Sequence, residues 1–278
     1  MRTTLAVAAD LLREASKRKW FLGLGIAITL VLSTLGLSLK LDVVDGALAA
    51  SRLFGHLLGG DIRAVDVAMR PVLKGTSYLV FYVGLVFGIV ACADFAPSLL
   101  SPGRIEHLLA HPVRRSELLL GTFLGVLALA LLASLYGAVG LTLILGVKAG
   151  LWTLGPVLSA LIASVCFAAI YAAMLTTALF VRQAAVSAGV GFLVFFGGIL
   201  AGVRSDIAPM LDKGFGRSCF LAVTLVLPRL SAVATAAADL AGSTPMPVRS
   251  LAALLGGVFV FGLGVLALGI FRFEQKDF

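Results

Sequence analysis

Glutamate and histidine stand together at Glu106, His107 and His111, and these residue types can hold a divalent metal or move a proton. On a helix, His107 and His111 lie four apart and share a face, as a zinc pair needs. The pattern is not His-Glu-x-x-His, however, and Pro112 places His111 at a helix end. The third histidine, His56, falls in a different loop, which leaves Glu106 itself or Asp94 as a further ligand. The plainer reading is a pair of surface histidines.

Other chemistries find less support. The phosphate cradle G-x-x-x-x-G-K-[ST] requires a Gly-Lys step, and the chain has none, so nucleotide hydrolysis would need another subunit. Cys92, Cys166 and Cys219 are too widely spaced for a metal or disulfide pattern and read as small packed residues. Tyr78, Tyr82, Tyr136, Tyr171 and Trp152 read as interface anchors or packing rather than a pathway lining.

The segment holding the histidines, residues 97–117, also carries a physical pattern of its own. Pro102-Gly103 breaks the chain, and Ile105, Leu108 and Leu109 then fall at i, i+3 and i+4. That spacing is a narrow apolar stripe on a helix of about two turns. A stripe flanked by Arg104, Glu106, Arg114, Arg115 and Glu117 suits either a partner's groove or a lipid surface. Pro112 stops the helix, and Ser116 is expected to cap the next one.

The elements that position this segment follow from composition. Of 278 residues, 60% are hydrophobic and 13% charged, with mean hydropathy +1.08. A soluble domain cannot cover so much apolar surface, so the class is an all-α polytopic membrane protein with one domain over 1–278. The net charge of +8 belongs to Lys and Arg flanking membrane helices, and no aromatic-interleaved basic patch suggests nucleic acid.

Residues 1–19 read as an amphipathic surface helix, with Leu5, Ala8, Ala9, Leu12 and Ala15 on one face. Six spans follow: Trp20–Leu39, then about Thr76–Ala93, Leu118–Val147, Leu154–Val181, Ala185–Val203 and Leu251–Phe271. The loop over 40–77 is polar and admits short helices. Residues 204–250 hold an apolar run too short to cross, ended by Pro228, and read as a re-entrant or interfacial helix pair on the non-cytoplasmic side.

Gly84/Gly88, Gly121/Gly125 and Gly198/Gly202 mark places where helices can approach closely. Six spans put both termini on one side. Lys and Arg divide evenly between the two sides, but the side holding both termini has the shorter segments and the Lys17–Lys19 cluster, which favours cytoplasmic termini. No acidic or basic residue lies centrally in a span, which speaks against an ion-coupled transporter or proton pump.

The run GRIEHLLAHPVRRSELLLG, Gly103–Gly121, resembles the cytoplasmic signature of the ABC type 2 permeases. The match lies in Gly103, Ile105, Glu106, Leu108, Leu109, Pro112, Val113, Arg115, Leu119, Leu120 and Gly121. The N-terminal helix, six spans, broken segment and Leu227-Pro228 step are similar as well. Arg104 stands where members usually have Thr, and Ser98–Pro102 lacks their usual acids.

The resemblance implies an export-type permease without catalysis of its own, in the cell's plasma membrane, paired with a second permease copy and with cytoplasmic ABC ATPase subunits. ATP and Mg would be bound by the ATPase, and this chain would hold no cofactor or metal. Arg104, Ile105, Glu106, Leu108, Leu109 and Arg115 would dock the ATPase, on a cytoplasmic coupling helix between spans two and three. The alternatives are an ATP-independent secondary transporter or channel, and an intramembrane metalloenzyme built on Glu106, His107 and His111.

Overall fold

The computed structural model describes residues 2–17, 19–44, 47–53, 56–59, 63–100, 114–150, 152–212, 214–242 and 247–275. Helix α1 (Arg2–Lys17) leads into α2 (Lys19–Ser38). A small antiparallel sheet follows, formed by β1 (Leu39–Val44), β2 (Ala47–Leu53), β3 (His56–Gly59) and β4 (Arg63–Ala64). Then come α3 (Val65–Cys92), the short α4 (Phe95–Leu99), α5 (Arg115–Ala149), α6 (Gly155–Phe180) and α7 (Ala184–Gly202). Helix α8 (Arg204–Ile207) and a 3-10 turn (Ala208–Met210) precede α9 (Phe215–Val226) and α10 (Leu230–Ala241). The last helix is α11 (Val248–Glu274).

The stretches Arg70–Leu99, Arg115–Lys148, Gly155–Phe180, Ala184–Gly202 and Val248–Glu274 are each long and apolar enough to cross a membrane. Helix α2, 20 residues without a charge after Lys19, also has spanning length, about 30 Å. The chain is a multi-pass helical membrane protein, as its composition requires. Helix α5, at 35 residues, is about 52 Å long and so projects beyond a hydrocarbon core of about 30 Å. Helix α3 is likewise longer than its apolar run, because the polar stretch before Thr76 continues as helix from Val65.

Helix α6 is the axis. Its spanning window is 67% buried, against 17% for α11. Helices α3, α5, α7, α10 and α11 all pack on it. Small residues make this possible: Ala160, Ala163, Ala169, Ala172, Ala173 and Ala178 are buried along its length. Outward faces such as Leu79, Val83, Phe87 and Val90 of α3 stay exposed and apolar, as a lipid-facing surface must.

The sheet occupies the polar loop over 40–77, which by its sequence admits short helices. Strand β2 pairs antiparallel with β1, β3 and β4, with Leu39 opposite Leu53 and Val44 opposite Ala47. The sequence carried a sign of it. Leu39, Leu41 and Val43 alternate with Lys40 and Asp42, and Asp-Gly at 45–46, a favoured hairpin dipeptide, separates the first two strands.

The segment before the last span is a broken pair, as expected. Helices α9 and α10 meet at a 53° bend across Leu227–Arg229, where Pro228 cannot continue a helix. Their surroundings differ. Helix α10 is seated in the bundle with Leu230, Val233, Ala234, Ala237 and Ala241 at 0% exposure, whereas Phe215 and Leu225 of α9 are exposed.

Candidate functional site

The segment singled out by its stripe is entered from α3 and α4 and left through α5. Arg104, Ile105, Glu106, Leu108 and Leu109, together with His107 and His111, lie outside the described residues. The structure describes the two shoulders on which they are mounted. Arg115, the last of the expected docking residues, is the first residue of α5.

The entry shoulder is fixed by burial. After Cys92 the chain turns through Ala93-Asp94 and forms α4, whose amide at Ser98 donates to the Asp94 carbonyl at 2.9 Å. Phe95, Ala96, Pro97, Leu99 and Leu100 are all buried. Phe95, Ala96, Leu99 and Leu100 join the core cluster that contains Phe167, Ile170 and Tyr171 of α6. Four apolar side chains and a proline pressed into the bundle make this shoulder part of the packed structure rather than a free loop.

The exit shoulder is a helix start. Arg114 is exposed and extended (φ −69°, ψ 143°), and its carbonyl accepts from the Leu118 amide at 3.1 Å. Helix α5 therefore begins at Arg115, one residue before the expected cap. Ser116 lies inside the first turn, and no side-chain cap bond closes this end. Glu117 places a negative charge in the first turn, favourable beside the helix dipole's positive end. Leu118 and Leu119 are buried directly behind it.

Two further elements brace this shoulder. The Arg115 guanidinium donates to the Glu274 carbonyl at 3.4 Å, so the end of α11 meets the start of α5. Nearby on the same floor, Arg272 of α11 lies over the Phe180 ring of α6, 5.7 Å from its centroid. Helix α1 packs along the first turns of α5. A Cβ on Gly121 would lie 2.8 Å from the Thr4 carbonyl oxygen, and one on Gly125 3.2 Å from Ala8 Cα.

The N-terminal helix thus buries one face against protein, using Ala8, Leu11 and Ala15. The expected stripe is shifted: Ala8 and Ala15 hold, Leu12 packs at the margin, and Leu5 is exposed. Its seat on α5 comes from the two glycines, which let the backbones approach.

Among the described residues no three His, Cys, Asp or Glu side chains converge as a metal site would. Sequence reasoning missed a set of polar contacts at the opposite end of the bundle. Ser77 of α3 and Ser159 of α6, both buried, share a hydrogen bond of 2.6 Å. Ser159 also donates to the Ala237 carbonyl of α10 at 2.9 Å, and Lys74 pairs with Asp239 at 2.7 Å. These residues lie far apart in the chain, and each alone looks like an ordinary polar residue in an apolar run.

The family model described as "ABC-2 family transporter protein" matches residues 5–278. Comparison with curated proteins gives no match.

Proposed function

The chain belongs to the ABC-2 family of transporter proteins, and on that premise we propose that it is the membrane permease of an ATP-driven exporter. A separate cytoplasmic ABC ATPase binds ATP and Mg, and two permease copies, identical or related, frame the path. The plasma membrane holds the complex, with both permease termini in the cytoplasm. The segment 97–117 is the coupling element. Ile105, Leu108 and Leu109 fill a groove on the ATPase, and Arg104, Glu106 and Arg115 form the polar rim.

The observation that supports this most is the mounting of the segment. A short amphipathic helix between two free loops would transmit no force. Here the entry is the buried α4 and the exit is α5, braced by α1 and the end of α11. On this reading, displacement of the segment is carried into α3 and α5. Closure of the ATPase pair moves the segment, and the two spans tilt to open a path between permease halves.

Leu108→Glu puts a charge into the apolar stripe without touching a described contact of the bundle. The permease is expected to insert and fold normally while ATPase co-purification and permease-dependent stimulation of ATP hydrolysis disappear. Retention of both would remove the docking assignment. Transport by the purified chain alone in liposomes, without any ATPase, would favour a secondary transporter or channel instead.

A further inference from the structure

Tyr171 has the largest fully buried side chain among the described residues. It lies on α6, in the core cluster that also holds Phe95 and Leu99 of the entry shoulder and Leu118 of the exit shoulder. Its ring stacks with Phe123 of α5 at 6.1 Å and 21°, and with Phe167 one turn earlier on α6 at 5.9 Å and 22°. Phe167 in turn fits against Gly88 of α3, where a Cβ would come within 2.7 Å of the ring. The aromatic stack therefore touches α3 on one side and α5 on the other, the two helices that carry the segment.

The hydroxyl at the end of this ring is buried and has no hydrogen-bond partner among the described residues. A buried hydroxyl without a partner loses its hydration and gains nothing in return, whereas phenylalanine would fill the same space without that cost. The other buried hydroxyls in the bundle are satisfied. Ser77 and Ser159 bond each other, Ser187 donates to the Met174 carbonyl, and Thr122 to the Leu118 carbonyl. Tyr171 departs from that rule beside the moving parts. Cys92, the last residue of α3, is buried in the same core cluster as Tyr171. The final turn of a helix leaves carbonyls outside its own ladder, so this turn carries acceptors.

We infer that Tyr171 is a positioning residue for the coupling movement, its hydroxyl unpartnered in the conformation described here and paired with a carbonyl in the last turn of α3 once α3 and α5 shift against α6. The inference rests on the lever reading above. The unpartnered hydroxyl disfavours the present conformation alone, so it biases the bundle toward the shifted one. Removing the hydroxyl deepens the present state and starves the shifted state of a contact.

The test is Tyr171→Phe in the full permease, in a Cys166→Ala, Cys219→Ser background that leaves Cys92 as the reporter thiol. Two quantities are read: the thermal midpoint of the permease alone, and the rate at which N-ethylmaleimide labels Cys92 in the permease–ATPase complex trapped with ATP and vanadate. The midpoint is expected to rise by about 2–4 °C. Cys92 is buried in the conformation described here, so its labelling reports the movement of α3 that uncovers it, and labelling in the trapped complex is expected to fall by about 5–30-fold relative to Tyr171. A lower or unchanged midpoint means that the hydroxyl is already satisfied, for instance by water, and overturns the inference. So does a trapped complex whose Cys92 labels at the Tyr171 rate. Failure of any ATPase to bind the Tyr171 protein defeats the lever reading itself, and the midpoint measurement, which needs no ATPase, keeps the two failures apart.

Discussion

Ser159 shows how much one hydroxyl can hold in this bundle. It accepts from or donates to Ser77 on α3, and it donates to a carbonyl on α10. Both serines are essentially solvent-free, at 0% and 2% exposure, so no water replaces a lost partner. Ser159→Ala is expected to lower stability by about 1–2 kcal/mol, read as a shift in the unfolding midpoint in detergent or bicelles. Ser134→Ala is the control. The Ser134–Ser164 pair at 3.0 Å is only half-buried, and Ser164 keeps its bond to the Ala160 carbonyl. A loss at Ser159 no larger than at Ser134 would show that the Ser77–Ser159–Ala237 chain contributes little. Lys74 and Asp239 extend the same junction, but at 33% and 32% side-chain exposure the pair is partly screened and serves more to fix the end of α10 than to stabilise it.

Among the helices, glycine decides which neighbour fits. Gly121 and Gly125 admit α1, and Gly198 admits the start of α10, where a Cβ would lie 2.6 Å from Leu230 Cγ. The third expected pair is split: Gly88 meets Phe167 while Gly84 has open space. Helix α1 depends on this close approach, because its own apolar face is built largely of alanine and gains little from burial unless the backbones nearly touch. Gly125→Leu is therefore expected to unseat α1, raising amide hydrogen exchange over residues 4–16 while the spans stay protected. Gly84→Leu, placed in open space, should leave that exchange unchanged. Equal protection of α1 in both variants would mean that its seat on α5 does not need the glycine.

Over the whole molecule the question is which way the bundle faces. The Arg115–Glu274 contact places the end of α11 beside the start of α5, so the coupling segment and the C-terminal end of the chain share one face. Charge alone does not orient that face, because Lys and Arg divide evenly between the two sides. Single cysteines in a cysteine-free background address it. Arg104→Cys is expected to react with a membrane-impermeant maleimide only in inside-out vesicles, and Asp212→Cys, exposed between the 3-10 turn and α9, only in right-side-out ones. The reverse pattern would put the coupling segment outside the cell, out of reach of any ATPase.

Membrane class, the approximate position of the spans and the break at Pro228 were legible in the sequence. They depend on local sums: about twenty apolar residues in a row cross a bilayer whatever surrounds them, and a proline after a short apolar run, as at Pro228, removes a helix donor, although Pro71 is carried within α3. The stripe expected at Ile105, Leu108 and Leu109 lies outside the described residues. The true start of α3 was hidden because Asp66, Arg70 and Lys74 look like loop residues, although helical hydrogen bonding continues through them outside the apolar run. Only the tertiary structure decided that α1 rests on α5, that Ser77 meets Ser159, that Gly88 is used and Gly84 is not, and that the Tyr171 hydroxyl is left alone. Each of those depends on residues brought together across tens of positions, and close packing, unlike hydropathy, cannot be added up along a chain.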